Sequence, residues 1–468
     1  MDGKRLAGLL AIAAAALPAA MSAWAKPREP IVLVAPAGRL VETQLAVERP
    51  GFSGTAYATG FETAGALVEF EVDSPGGVYA VTIRCALPGG KKGFDLIVND
   101  ERRPGMLQGG KEGWHESAAG LVALLPGRNR IAVGKGWGWW DFDRLTLTPA
   151  ALPPFRKPPV RISDPAADPA AVALLGKLHR HYGEQALAGQ MDAADIAYCR
   201  SITGKEPALG GFDLMDCSPS RVERGASGEG VVDEAIAWGK RGGVVMMMWH
   251  WNAPTDLADR PGQEWWRGFY TEATTFDLKA ALADPGGERY RLLVRDLDAI
   301  ATRLARLRDA GVPVLWRPLH EAQGEWFWWG AKGPGPFKAL WRLMRERYLG
   351  VHGLHNLVWM YGPPSGGVDA DDWYPGDDVV DVIGPSIYAD PTSSMSGEWE
   401  ALRARWGDKK LIGLAECGTP PEASQCTALG VRWAFWCVWS GESVRAIPAD
   451  RLRAAYSDPR VITLDRFR

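Results

Sequence analysis

Two glutamates follow apolar runs that look like buried strands. Val314 to Gly330 reads VLWRPLHEAQGEWFWWG: the run ends in Arg317, His320 and Glu321, and Trp326, Phe327, Trp328 and Trp329 come next. A second run, Leu411 to Ala415, leads directly into Glu416. A buried strand does not end on a guanidinium, an imidazole and a carboxylate unless they are partnered or face water or a ligand. Two carboxyl groups flanking a bond are the equipment of glycoside hydrolysis: one protonates the leaving oxygen and the other attacks the anomeric carbon. Tryptophan suits the same chemistry, because an indole face covers the apolar C–H face of a sugar ring. A structural salt bridge beside an aromatic core is the alternative, and the density of polar groups at one strand end tells against it.

These residues need a scaffold that brings distant strand ends together. From about residue 170 the chain alternates strand-like and helix-like stretches. The strands expected are Gln185 to Gln190, Ala208 to Met215, Gly243 to Trp249, Val314 to His320, Leu357 to Tyr361, Val380 to Ile387, Leu411 to Ala415 and Val431 to Val438. Eight such units imply an α/β fold, a closed (β/α)8 TIM barrel. An open doubly wound sheet is the competitor, and no glycine-rich nucleotide loop follows the first strand to favour it.

In a barrel the chemistry lies at the C-terminal strand ends. Those ends carry Asp213 and Asp216; Trp249, His250, Trp251 and Asn252; Arg317, His320 and Glu321; Trp359 and Tyr361; Tyr388 and Asp390; Glu416; and Trp436, Trp439 and Ser440. Strands four and seven, which bring Glu321 and Glu416, face each other across the mouth. A retaining mechanism needs their carboxyl groups about 5–5.5 Å apart. Asn252 to Arg289 reads as a long rim loop. Asp213 is open between an ion pair, a helix cap and a site role; Trp359 reads as core, and His352 and His355 as packing histidines.

Residues 31–149 read differently. Short alternating runs (67–72, 77–85, 93–99, 121–125, 129–133 and 144–148) separated by Gly, Pro or Asn predict an all-β sandwich domain. A Pro/Ala-rich linker is expected over 150–169 and the catalytic domain over 170–468. A cut near Pro165 should leave the barrel folded and active. Met1 to Ala25, with Lys4, Arg5, an apolar run and Ala23-Trp24-Ala25, has the form of a signal peptide, so a secreted or periplasmic location is expected, with no membrane association after cleavage. The 53 basic and 56 acidic residues, net charge −3, leave no footprint for nucleic acid. Cys417 and Cys426, or Cys199 and Cys217, could pair, while Cys85 reads as a buried thiol. No H-E-x-x-H spacing supports a zinc hydrolase.

Several motifs together carry a family resemblance. WRPLHEAQGEWFWWG (Trp316 to Gly330), WHW (Trp249 to Trp251), FYTEATTFD (Phe269 to Asp277) and AECG (Ala415 to Gly418) resemble the glycoside hydrolase family 26 β-mannanases. The resemblance implies a retaining enzyme that cuts internal β-1,4 bonds of mannan or glucomannan, acts without a catalytic cofactor and works as a monomer. It puts the acid/base on Glu321 and the nucleophile on Glu416. His250, Arg317, His320, Trp326 and Tyr388 match positions around the sugar or the carboxylates, and Trp439 the floor beneath the sugar. Gly384-Pro385-Ser386 departs from the glycine–aliphatic–aspartate run often seen before that tyrosine. Mixed-linkage β-glucan, β-1,3-xylan or an exopolysaccharide are alternative substrates, and a catalytically dead carbohydrate-binding barrel is the alternative outside enzymes. The first domain resembles a family 35 carbohydrate-binding module. That likeness implies a structural calcium held by Glu42, Gln44 and Asp143, and a sugar platform drawn from Trp114, Trp137, Trp139 and Trp140.

Overall fold

The computed structural model describes residues 29–99, 101–107, 113–363, 370–389, 391 and 393–467. The signal-peptide stretch 1–25 and Asp390 lie outside the described residues.

An antiparallel β-sandwich comes first. Four of its expected short runs are in fact two long strands, Leu67–Ala86 and Trp114–Lys135, paired along most of their length. Pro and Gly misled the boundary, because Pro75 sits opposite Pro126 within the ladder and bends both strands without ending them. Alternate residues face inward: Val68, Phe70, Val81 and Ile83 pack with Leu96, Ile131, Phe142, Leu145 and Leu147, all buried.

From Phe155 to Asp168 the connecting stretch is tied to the following domain. Phe155 meets Tyr182 edge-on with ring centroids 5.2 Å apart. His179 donates to the Pro158 carbonyl at 2.6 Å, and Lys157 to the Arg180 carbonyl at 3.0 Å. The Ser163 amide donates to buried Asp381 at 2.5 Å, and His355 to buried Asp164 at 2.8 Å. A fragment beginning at 166 would lose the Phe155 contact, leave Asp381 with only the Trp359 amide as donor and leave His355 without its Asp164 partner, at a cost on the order of 3 kcal/mol. It is therefore expected to melt about 5 °C or more below a fragment beginning at 151, and equal melting temperatures by calorimetry would refute that role for the segment. The sandwich also touches the barrel directly. Buried Glu101 accepts from the Ser394 amide at 2.8 Å, and Arg103, paired with Glu101, donates to the Ser396 hydroxyl at 3.3 Å.

The second domain is a curled parallel sheet wrapped by helices. Its strands are β1 (Ala186–Met191), β2 (Leu209–Asp213), β3 (Val244–Met248), β4 (Val314–Arg317) and β5 (Leu357–Tyr361). There follow β6 in two pieces (Val382–Ile383 and Ser386–Ile387), β7 in two pieces (Leu411–Ile412 and Leu414–Cys417) and β8 (Phe435–Val438). Each pairs in parallel with the next, and β8 pairs with β1 to close the barrel. Strands covered on both faces must be apolar along their whole length, which is why β3 reads VVMMM and β5 LVWMY, buried throughout.

The six thiols are free, which corrects both suggested pairings. Cys417 donates to the Cys437 carbonyl, Cys199 to Gln190, and Cys217 to the Gly228 carbonyl. Among the described residues no helix is long and apolar enough to cross a membrane.

Candidate active site

The turn after β4 is the most constrained backbone at the barrel mouth. Leu319, Glu321 and Glu325 take φ of 50°, 55° and 58°, left-handed values that cost non-glycine residues on the order of 1–3 kcal/mol each. The surroundings hold the turn in that shape. Trp329 Nε1 donates to the His320 carbonyl at 2.9 Å. The rim loop ties down the other side: the Thr271 amide and hydroxyl donate to the carbonyls of Trp326 and Glu325, both at 2.7 Å, and Trp328 N donates to the Phe269 carbonyl at 3.2 Å. The stretch Phe269 to Asp277 thus holds this turn in place.

Within that turn Trp326 Nε1 donates to Glu321 Oε2 at 3.0 Å. The indole lies across Gly324, where an added Cβ would come within 1.9 Å of the ring. Gly324→Ala should therefore swing Trp326 off Glu321 and lower kcat about 10²-fold, the cost of a misplacement near 1 Å. Unchanged kcat in steady-state assays would refute this. Trp326 is about half exposed, so it covers one side of Glu321 without enclosing it.

Glu416 lies in the last pair of residues of β7 and is buried. Arg317, fully buried at the end of β4, donates to Glu416 Oε2 at 2.8 Å, and the Tyr388 hydroxyl donates to Oε1 at 2.7 Å. Arg317 also donates to the Ser386 hydroxyl at 2.5 Å. Tyr388 is more than half exposed as a residue, but desolvation of its hydroxyl, then the charge of Glu416, pushes the phenol well above its ordinary range, so it stays a donor. Glu321, Trp326, Ser386 and Tyr388 line one cleft of about 400 Å³. Ser386 was missed from sequence. Its only signal is a lone hydroxyl in the interrupted strand six, in the very run that departs from the family pattern.

Behind this pair sits a histidine couple. His250 Nε2 lies 3.1 Å from His320 Nε2, and His250 Nδ1 lies 2.5 Å from Asp213 Oδ2. Phe269, Phe327 and Trp439 all meet the His250 ring at steep angles, with centroids 5.2, 5.5 and 5.7 Å away. Trp439 is thus at the mouth, beside His250. Asp213 bonds the histidine and the Met215 amide and, among the described residues, pairs with no arginine.

Other strand-end residues face away from the site. Trp249, Trp251, Trp359 and Trp436 are core. Trp251 donates to buried Asp296 at 2.9 Å, and Asn252 braces the rim loop through the Trp265 carbonyl at 3.0 Å. His352 and His355 pair with Asp298 and Asp164, as packing histidines do. Trp266, on the rim loop, exposes about half its ring and carried no sequence signal apart from its neighbour Trp265.

The suggested calcium ligands do not fit a cation. Buried Asp143 accepts from Ser53 N at 2.6 Å and Ser53 Oγ at 2.9 Å, and pairs with Arg84, so a guanidinium stands where a metal would. Glu42 is exposed and bonds Thr63, and Gln44 is exposed. Among the described residues no three His, Cys, Asp or Glu side chains are grouped to hold a metal. Of the four candidate tryptophans in the sandwich, Trp140 is core and stacks on Phe61, Trp114 is half-buried, and Trp137 and Trp139 are exposed.

Residues 164–466 match Glycosyl hydrolase family 26. The chain belongs to that family. Residues 32–150 of this family 26 hydrolase match Carbohydrate binding module (family 35). It is 42% identical over 429 residues to a mannan endo-1,4-beta-mannosidase of Thermothelomyces thermophilus, covering 91% of this chain and 88% of that one. It is 31% identical to mannan endo-1,4-beta-mannosidase A of a Piromyces species, covering 87% of this chain and 67% of that one. The crystal structure of a Podospora anserina GH26-CBM35 β-(1,4)-mannanase superposes with a TM-score of 0.70 at 40% identity, covering 94% of this chain and 98% of that one. That alignment spans both domains of the family 26 hydrolase.

Proposed function

We propose that this family 26 hydrolase cleaves internal β-1,4-mannosidic bonds of mannan or glucomannan by double displacement. Glu416 attacks the anomeric carbon from the face opposite the leaving group, and Glu321 protonates the departing oxygen. Glu321 then takes a proton from water, which attacks the glycosyl-enzyme and restores the β configuration. The observation that carries this division of labour is the different setting of the two carboxylates. Glu416 is buried and held at both oxygens, by a buried guanidinium on one and a phenol on the other. Glu321 lines the cleft bordered by Ser386 and Tyr388, the residue that bonds Glu416, and accepts from Trp326. The two carboxylates supply the chemistry, so no cofactor is needed. His250, Arg317, His320, Tyr388 and Trp439 shape the site around the reacting sugar. The substrate follows from the relatives, whose names specify mannan.

The chain is read as two units, 31–149 and 170–468, with 150–169 between them and an exported mature form. The first unit adds polysaccharide binding. Trp139, 69% exposed, borders a cleft of about 630 Å³ with Arg49, Glu62 and Asp141, a ring beside polar groups as sugar binding requires.

The test is a reducing-end assay on mannan, glucomannan, mixed-linkage β-glucan and β-1,3-xylan, with NMR of the first products. Short manno-oligosaccharides released as the β anomer are expected. Activity confined to either of the last two polymers would overturn the substrate, and an initial α product would overturn the retaining pair.

A further inference from the structure

Hydrolysis by two carboxylates does not call for a third, yet Asp213 stands behind the site with its oxygens fully directed. Oδ1 accepts from the Met215 amide at 2.9 Å and the His250 amide at 3.1 Å, and Oδ2 meets His250 Nδ1 at 2.5 Å. The same histidine's Nε2 meets His320 Nε2 at 3.1 Å. Two ring nitrogens at that distance need one N–H and one lone pair between them. A carboxylate on Nδ1 fixes a proton there. His250 therefore either accepts at Nε2 as a neutral ring, or donates at Nε2 as an imidazolium.

The surroundings decide which. The charged and titratable groups around His250 are Asp213 from β2, Arg317 from β4, His320 from the turn after β4, and Glu416 from β7; its other neighbours are the rings of Phe269, Phe327 and Trp439. Burial pulls its pKa down, but Asp213 and then Glu416 outweigh burial and Arg317, and the net direction is up. His320 goes the other way: burial, Arg317 and His250 all lower it, well below the ordinary histidine range. The proton belongs on His250. His320 then accepts at Nε2 and carries its own N–H on Nδ1, a buried atom without a protein partner among the described residues.

We propose that Asp213 is a positioning residue: it keeps His250 an imidazolium whose Nε2–H is donated to His320, and so fixes the ring and tautomer of the residue immediately before the proton donor Glu321. This rests on the reading of Glu321 and Glu416 given above. When His250 loses its Nε2 proton, two lone pairs face each other until His320 moves its own N–H from Nδ1 to Nε2. The change occurs beside a turn already held at left-handed φ on both sides of His320. Turnover should fall as that proton is lost with rising pH.

The experiment compares the full chain with Asp213→Asn and Asp213→Glu, and with Glu416→Gln as the blank, on a soluble manno-oligosaccharide across pH. The asparagine retains an acceptor oxygen but not the charge. Its kcat should drop about 10–10²-fold, as for a small misplacement of the acid, with KM within about threefold and the alkaline limb moved to lower pH. Asp213→Glu should recover part of that loss. A titration of ¹⁵N-histidine-labelled wild-type protein needs no variant, and the seven histidines keep the spectrum tractable. One histidine should stay protonated on both nitrogens above the ordinary range and lose that state in Asp213→Asn. A wild-type pH profile in Asp213→Asn, or a His250 already neutral at mildly acidic pH in the wild type, would overturn the proposal. Turnover by Glu416→Gln would instead overturn the reading of the reaction.

Discussion

Glu416→Gln is expected to lower kcat on glucomannan by about 10⁶-fold, the scale on which loss of a covalent nucleophile is felt. The substitution is nearly isosteric. The amide oxygen can still accept from Arg317 Nη1, and Tyr388 can turn its hydroxyl to accept from the new NH₂. Binding of manno-oligosaccharide by calorimetry should therefore change little while turnover vanishes. Glu416→Ala is harsher, because Arg317, fully buried, loses its counter-charge. Breaking a buried pair from one side costs about 3–5 kcal/mol, so the alanine variant should melt clearly below the glutamine one. The alanine also leaves a space on the attacking face. Added azide can enter it, attack the anomeric carbon of an activated aryl β-mannoside and expel the aryl oxide, giving an α-mannosyl azide. A β-azide from this variant would mean that Glu416 is not the nucleophile.

Much of this site could be read from residue order alone. The apolar runs that become β3, β5 and β8 are buried on both faces, and such runs have few alternatives. The position of a carboxylate at the end of a run then fixes its place at the barrel mouth. The same logic could not say which tryptophans face the sugar. In Trp249-His250-Trp251 the strand has already ended, so period-two alternation no longer applies. The structure turns both indoles into the core, where Trp249 donates to Ser218 and Trp251 to Asp296. Trp326 and Trp329 lie three positions apart and do opposite things, one exposed on Glu321 and the other buried against the His320 carbonyl. Left-handed φ at three non-glycine residues produces that arrangement, and no local propensity announces it. Asp213 was ambiguous for a related reason: its partner lies 37 positions away, just past the end of the next strand, and only the parallel register brings the two strand ends side by side. In the sandwich, Pro75 and Pro126 read as strand ends because each is a breaker alone. Facing each other, they are a shared bend.

Removing Glu321 should give a loss that depends on the leaving group, which separates it from Glu416. General acid–base help of this kind is worth about 10²–10⁴-fold. On mannan the departing group is a sugar hydroxyl that needs a proton, so Glu321→Ala should lose the full amount. An aryl mannoside with an acidic phenol leaves without protonation, so the first step should proceed nearly as in the wild type. The second step then lacks its base, and the glycosyl-enzyme on Glu416 should accumulate, visible as a burst of phenol and as added mass on the intact protein. The alanine also removes the acceptor of the Trp326 indole N–H, while the ring itself still lies over Gly324. The cleft around Tyr388 and Ser386 should therefore stay open to a small anion. Azide should restore turnover by attacking the intermediate from the face the sugar left, giving a β-mannosyl azide, opposite in configuration to the product expected from Glu416→Ala. Equal losses on mannan and on the activated aryl mannoside, with no burst, would remove Glu321 from the role of acid and base.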